Sequence, residues 1–281
     1  MSGYLALTKK ELRESLKTSR LLIAAVVFIL AGAGSVILTH YLPDLVKNQA
    51  GSGMTIIVGK QTIADAVDGY VKNLLQIPML PAILLAMGSV AEERAHGVGA
   101  MLLSRPIARS AYVLAKLTGY GLTLLAGLAL GALATFYYLV LLFDGATLGP
   151  FLLINVGLAA MLVDLLAITL LCSTLLRSGV AAGGLAFVLY ILLSSLPGFW
   201  SPLGDSLPGS IMEHAHALLA GSWGAVDLLR PLAGGITLAT LCVGAACLAL
   251  RKQEDGFCSC RTRRSVPAQG RCANWRRVQR R

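Results

Sequence analysis

The chain has few charged residues: Asp, Glu, Lys and Arg make up 14% of its 281 residues, whereas 56% are hydrophobic. Soluble domains carry about 25% charged residues, so this composition excludes a soluble globular protein and is typical of a polytopic membrane protein. The apolar stretches are long and lack the alternation of membrane strands, which favours helices over a barrel.

Motifs for several catalytic and metal chemistries are missing from the sequence. It has no Gly-x-x-x-x-Gly-Lys-Ser/Thr loop for nucleotide phosphates and no His-Glu-x-x-His zinc motif. His214 and His216 would point to different sides of a helix, which is a poor arrangement for a metal. The segment 221–224 lacks the pattern of a nucleophile elbow. We therefore expect a protein that is not an enzyme and holds no metal or cofactor of its own.

The six cysteines do not suggest a disulfide framework. Cys172, Cys242 and Cys247 lie in apolar stretches, where Cys behaves as a small apolar residue. Cys258 and Cys260 lack a second ligand pair at zinc spacing. We expect neither disulfides nor a metal site from these residues.

Six apolar stretches are long enough to cross a bilayer, which takes about 20 apolar residues. The predicted fold is therefore an all-α polytopic membrane protein with six transmembrane helices, which form one membrane domain over 21–250. The predicted spans are 21–39, 74–91, 112–143, 151–176, 180–197 and 230–250.

The segment 1–20 predicts an amphipathic helix that lies along the membrane surface. Its apolar stripe recurs at steps of three or four residues, and its basic residues fall elsewhere, where they suit lipid phosphates. The stripe consists of Leu5, Thr8, Leu12, Leu16 and Ser19. A plain positively charged flank is the alternative interpretation.

Lys and Arg are concentrated in 1–20, in 92–111 and at the start of the tail, whereas the loops 144–150 and 198–229 contain neither. Positively charged flanks remain on the cytoplasmic side of a membrane. We therefore expect a multi-pass protein of the cell membrane with both termini in the cytoplasm.

The tail, 251–281, holds ten of the 24 Lys and Arg residues and only two acids, Glu254 and Asp255. It has no apolar periodicity, and we expect a disordered cytoplasmic segment. Attraction to anionic lipid is an alternative role for its charge. Nucleic-acid binding is not expected, since no fold supports it.

Asp164 is the one acid near the middle of a predicted span, where an ionised carboxylate costs roughly 2.5–3.5 kcal/mol. It could line a polar pathway, or it could be a buried acid that is hydrogen-bonded to a neighbouring helix. Asn155, nearer the start of the same span, is a weaker candidate for such a pathway.

Small residues four apart in the third and fifth spans predict close contact between helices. The contact could lie within the bundle or across a dimer. The glycines of these patterns are Gly119, Gly127, Gly131, Gly179 and Gly183.

The polar segment between the second and third spans is the most informative part of the chain. Acidic residues end the second span, and the glycines after them permit a sharp turn. An apolar patch follows, and a proline ends the short helix that carries it. Basic residues then lead into the third span. These residues are Glu92, Glu93, Gly97, Met101, Leu102, Leu103, Pro106, Arg109 and Lys116. An apolar patch here suits a groove in a soluble partner, whereas a solvated connector would not explain the patch. Lys116 is expected at the membrane surface.

This segment resembles the equivalent loop of ABC type-2 transporter permeases, which commonly reads Glu-x-x-x-Gly-Thr, then Leu-Leu-Ser-x-Pro-[Val/Ile]-x-Arg, then Gly-Lys. The matching residues are Glu93, Gly97, Leu102, Leu103, Ser104, Pro106, Ile107, Arg109 and Lys116. Val98 replaces the usual Thr, and Ala115 replaces the usual Gly. The amphipathic start, the six spans and the end of the last span also look like this family, so the resemblance covers residues 4–254.

The resemblance implies a non-catalytic permease subunit of an ABC exporter. Two permeases, identical or paralogous, would pair in the membrane, and two separate ATPase subunits that hold ATP and Mg would bind beneath them. The segment 92–111, which we call the coupling loop, would transmit ATP-driven closure to the bundle. The alternative is a membrane anchor or assembly factor for an ATPase complex that moves no substrate.

Overall fold

The computed structural model describes residues 2–49, 61–77, 79–95, 109–143, 145–176, 178–195, 210, 227 and 229–261. The regular elements of these ranges are α-helices, which confirms the predicted all-α class. In chain order they are α1 (Ser2–Lys17), α2 (Arg20–Gln49), α3 (Ile63–Gln76), α4 (Met79–Ala95), α5 (Arg109–Leu142), α6 (Leu148–Leu175), α7 (Gly179–Ser195) and α8 (Leu229–Arg261).

Five stretches of the described helices are long and apolar enough to cross a membrane, and they overlap five of the six predicted spans. They are Arg20–Pro43, Ile63–Ala91, Ser110–Leu142, Leu148–Leu175 and Leu229–Leu250. The remaining predicted span, 180–197, coincides with α7, whose apolar part Gly179–Leu193 is shorter than the other five stretches. A sixth crossing therefore stays a prediction.

The second stretch begins earlier than the sequence suggested, because α3 packs into the bundle ahead of α4. A capping box starts α3: the Thr62 N–H donates to Asp65 Oδ2 at 2.8 Å, and the Asp65 N–H donates to Thr62 Oγ1 at 3.4 Å. The helix packs mainly against α2. Its buried face consists of Ala66, Val67, Tyr70, Val71 and Leu74.

A sharp turn at Thr18 and Ser19 separates α1 from α2. The Thr18 N–H donates to the Glu14 carbonyl oxygen at 2.9 Å, and Ser19 has a φ of +56°, which is uncommon for a residue with a side chain. Because the chain turns here, α1 leaves the axis of α2 and lies against α5.

Helix α6 is the centre of the bundle. It contacts α4, α5, α7 and α8. In its most apolar stretch 67% of the residues are buried, whereas the share in α8 is 17%. One core cluster extends from α2 through α6, and a second joins α6 to α7 and α8. Side chains on α6 therefore belong to both core clusters.

Gly127 and Gly131 let α5 pack tightly against α2 of the same chain. A Cβ at Gly131 would lie 2.8 Å from Phe28 Cβ and 2.9 Å from the Phe28 carbonyl carbon. A Cβ at Gly127 would lie 3.2 Å from the Phe28 ring. Of the two packing alternatives, the described contact of these glycines lies within the bundle.

The other predicted packing glycines have different surroundings. A Cβ at Gly119 would lie 2.7 Å from Glu11 Cβ of α1, and a Cβ at Gly183 would lie 2.9 Å from Met87 Sδ of α4. Gly179 is the first residue of α7 and is half-buried. Two of these three glycines thus permit a close approach between helices.

Candidate functional site

The coupling loop joins the end of α4 to the start of α5. Glu92 and Glu93 lie in the last turn of α4, and Arg109 is the first residue of α5. The described geometry of the site is therefore that of the two helix ends that carry the loop. The predicted loop residues Gly97, Met101, Leu102, Leu103 and Pro106 lie outside the described residues.

A single hydroxyl of α6 ties down the end of α4. Ser173 Oγ donates to the Met87 carbonyl oxygen at 2.8 Å and accepts from the backbone N–H groups of Val90 and Ala91, each at 3.2 Å. In a regular helix the Met87 carbonyl accepts from the Ala91 N–H, so the hydroxyl bonds to both groups of one turn of α4. The last turns of α4 are therefore held against α6 by hydrogen bonds between a side chain and the backbone.

A buried ion pair ties the start of α5 to α1. Lys116 Nζ lies 3.5 Å from Glu11 Oε1, and the two side chains are 2% and 7% exposed. The Tyr112 and Tyr120 ring centroids lie 5.3 and 6.0 Å from the ammonium, within range for cation–π attraction. Lys116 was expected to hold the third span at the membrane surface, and in the structure its ammonium is covered by α1.

Two further polar contacts hold α1 on α5. The Tyr4 hydroxyl donates to Thr118 Oγ1 at 3.3 Å, and a hydrogen bond of 2.7 Å joins the hydroxyls of Ser15 and Thr123. Gly119 lies between these contacts and presents no side chain where α1 approaches. The interface therefore extends over several turns of α1 and includes these two hydrogen bonds and the ion pair.

The rest of α1 exposes apolar and basic residues. Leu5 and Leu16 of the predicted stripe are exposed, whereas the residues buried against the bundle are Leu7, Glu11 and Ser15. The predicted stripe is thus divided, since Thr8 and Leu12 are half-buried while Leu5, Leu16 and Ser19 are exposed. The exposed basic residues are Lys9, Lys10, Arg13 and Lys17.

Asn155 links α6 to α3. The Tyr70 hydroxyl donates to Asn155 Oδ1 at 2.6 Å, and Asn155 Nδ2 donates to the Phe151 carbonyl oxygen at 2.9 Å. The Phe151 ring lies 5.4 Å from the Tyr70 ring and 5.4 Å from the Phe136 ring. Both polar atoms of the Asn155 amide are therefore engaged inside the bundle.

Asp164 is buried with one carboxylate oxygen unpaired among the described residues. Its side chain is 4% exposed, and its Oδ2 has no hydrogen-bond partner among the described residues. It lies close enough to Tyr190 of α7 and Cys242 of α8 to act on both electrostatically, and Tyr190 in turn lines a small apolar cavity that reaches Phe28. A buried polar atom of this kind calls for a proton or another polar group.

The described thiols and possible metal ligands form no cluster that could hold a metal ion. Cys172, Cys242 and Cys247 are free thiols within α6 and α8. Within the ranges that the structure describes, no three His, Cys, Asp or Glu residues are placed to hold a metal ion. The pair His214 and His216 lies outside those ranges.

Comparison with known proteins supplies the family. The family model described as "ABC-2 family transporter protein" matches residues 5–219. This chain belongs to the ABC-2 transporter family. The ABC-2 resemblance of the coupling loop is thereby confirmed, and the matched range includes α1 to α7. Among relatives, the "Uncharacterized transmembrane protein YxlG" of Bacillus subtilis (strain 168) is 27% identical over 225 residues, which cover 79% of this ABC-2 chain and 87% of YxlG.

Sequence reasoning did not single out Glu11 or Ser173 of this ABC-2 protein. Glu11 has a weak signal, because an acid in a basic helix at a spacing of four from Leu7 and Ser15 suggests a partner on one face. Ser173 has none, since a lone serine in an apolar span is common where helices pack closely.

Proposed function

We propose that this chain is the permease subunit of an ABC exporter, in which ATP hydrolysis on a separate subunit drives a substrate across the membrane. The observation that carries the proposal is the family match to residues 5–219, which includes the coupling loop and both flanking helices. Five membrane-long apolar stretches supply the scaffold. The chain itself catalyses no reaction in this proposal, and the ATPase holds ATP and Mg.

In this proposal α1, the coupling loop and the tail lie in the cytoplasm, since the basic residues of the chain are concentrated there. The ATPase binds the apolar patch Met101, Leu102 and Leu103. Movement of the loop displaces the end of α4, which is bonded to Ser173 of α6, and the start of α5, which carries Lys116.

A second permease, identical or paralogous, completes the transporter in this proposal. Exposed apolar residues on α2, α5 and α8, such as Leu30, Leu133 and Leu241, suit either lipid or a neighbouring permease. Asp164 contributes a polar group to the substrate pathway, which its burial and its unpaired oxygen support.

The test is purification of the tagged full-length chain in a mild detergent, with mass spectrometry of the proteins that accompany it. We expect a stoichiometric nucleotide-binding subunit. Replacing Met101, Leu102 and Leu103 with Ser should lower its yield about tenfold, which corresponds to about 1.4 kcal/mol of binding free energy. Leu148→Ser is the matched control, because Leu148 is exposed and begins α6 at the other end of the bundle.

Failure to recover an ATPase in several detergents would contradict the proposal. If an ATPase binds but its hydrolysis rate in liposomes does not depend on the permease, the result would favour a membrane anchor or assembly factor. Loss of the ATPase in the Leu148 control as well would show that the loop substitutions act through general destabilisation.

A further inference from the structure

The Glu11–Lys116 ion pair joins two parts of the chain that are 105 residues apart. Both side chains are almost fully buried, so each charge has lost most of its hydration. Removing one partner of a buried ion pair takes away a charge that offsets the desolvation of the other, which is strongly unfavourable. The pair therefore fixes α1 to one place on α5, seven residues after Arg109.

The contacts around the pair restrict sliding of α1 along α5. The hydrogen bonds from Tyr4 to Thr118 and between Ser15 and Thr123 lie on either side of the pair along α1. Hydrogen bonds need a defined distance and direction, unlike an apolar contact. At Gly119 the backbone of α5 comes so close that a Cβ would lie 2.7 Å from Glu11 Cβ. This surface of α5 thus accepts α1 in one register.

We propose that Glu11 is a positioning residue for ATP coupling: through Lys116 it fixes α1 to the start of α5, so that the two helices move as one body when the coupling loop moves. The coupling part of this inference rests on the proposed function. The docking of α1 on α5 can be tested without it.

The first experiment measures docking by disulfide formation between Ser15→Cys and Thr123→Cys in membranes that contain the full chain. The two hydroxyl oxygens are 2.7 Å apart, so thiols at these two positions report directly on the contact between α1 and α5. We expect rapid cross-linking under mild oxidation, detected as the linked peptide by mass spectrometry. Each single-cysteine variant shows how far the native cysteines contribute.

The charge variants are then introduced into this cysteine pair. Glu11→Gln should slow cross-linking several-fold, and the exchanged pair E11K/K116E should restore it. Glu14→Gln is the matched control. Glu14 lies on the same helix and pairs with Arg20 at 3.7 Å, but its side chain is 44% exposed. Exposed ion pairs contribute little to stability, so this variant should cross-link at the normal rate. Unchanged cross-linking in Glu11→Gln, or no recovery in the exchanged pair, would overturn the positioning role whatever the protein does.

The second experiment uses the complete permease–ATPase complex in liposomes and measures how far the permease stimulates ATP hydrolysis. Glu11→Gln should reduce this stimulation several-fold at unchanged membrane insertion, and E11K/K116E should recover it. The disulfide of the S15C/T123C variant should leave the stimulation of ATP hydrolysis intact, because helices that move as one body tolerate a covalent link. Thermal unfolding of each variant separates loss of fold from loss of coupling.

The outcomes distinguish the two proposals. A disulfide that stops hydrolysis would show that α1 and α5 must separate, and it would overturn the one-body inference. Absence of any ATPase partner of the unaltered chain would contradict the proposed function, while the cross-linking rates would still decide whether Glu11 positions α1.

Discussion

Gly131 of α5 lies against α2, and the backbone of Phe28 occupies the space that a side chain would need. Gly131→Ala should therefore destabilise the fold by about 1–3 kcal/mol, the usual cost of overpacking a core. The contact is with backbone atoms, so a change of side-chain rotamer cannot relieve it. Thermal unfolding in detergent measures the effect.

Gly184→Ala on α7 is the control for that substitution, because no atom lies within 4 Å of the added Cβ. Ala is preferred over Gly in a helix by about 1 kcal/mol, so this variant should be neutral or slightly stabilised. Equal destabilisation by both substitutions would show that the α2–α5 contact is looser than described.

The carboxyl of Asp164 should lower the free energy of unfolding and support permease-dependent ATP hydrolysis. Asp164→Leu replaces a buried, unpaired polar group with an apolar one and should raise the free energy of unfolding by about 1–3 kcal/mol. Both Asp164→Leu and Asp164→Asn should lower permease-dependent ATP hydrolysis. Thermal unfolding and ATPase assays of the reconstituted complex check the two effects, and a less stable Leu variant would mean that the carboxyl has a partner in the membrane.

At the scale of elements, α3 is held in the bundle by one buried hydrogen bond and an apolar face. Tyr70→Phe removes the donor to Asn155 and leaves its amide oxygen buried and unpaired, which costs about 1–3 kcal/mol. We expect the backbone amides of Ile63–Gln76 to exchange hydrogen faster than in the unaltered chain. The exchange rates in α8 should stay the same. Tyr137→Phe is the control, since Tyr137 is 64% exposed on α5; equal exchange in both variants would count against the link.

How much of an element follows from sequence depends on where its partners lie. The helical spacing of Val67, Tyr70 and Leu74 can be read from the sequence, because this periodicity is local. The contact face of α1 was not predicted, since Glu11 and Ser15 meet partners more than a hundred residues later. Local periodicity instead emphasised Leu5 and Leu16, which the bundle leaves exposed.

At the scale of the whole molecule, the tail should be dispensable. The last membrane-long stretch ends at Leu250, and the family match ends at residue 219. Deleting residues 256–281 should leave membrane insertion, thermal stability and recovery of the ATPase unchanged, as measured on the truncated chain. A loss in any of the three would give the tail a structural or binding role.

Composition was sufficient to predict the class of the molecule and five of its candidate spans, because a bilayer selects for long apolar helices. The coupling loop could be placed from its motif, but Lys116 shows the limit of that motif. A lysine at the end of a span usually reaches the membrane surface, and only the docking of α1 turns it into a buried partner. Tertiary contacts of this kind leave little trace in one sequence.

The long separation between Glu11 and Lys116 also sets an order of events during synthesis. A ribosome adds about 5–20 residues per second, so Lys116 follows Glu11, which is 105 residues earlier, by roughly 5–20 s. During that interval α1 has been made but its docking surface on α5 has not, and Glu11 keeps its hydration. α1 is therefore translated before the surface on which it docks, and its contact with α5 can form only after that interval.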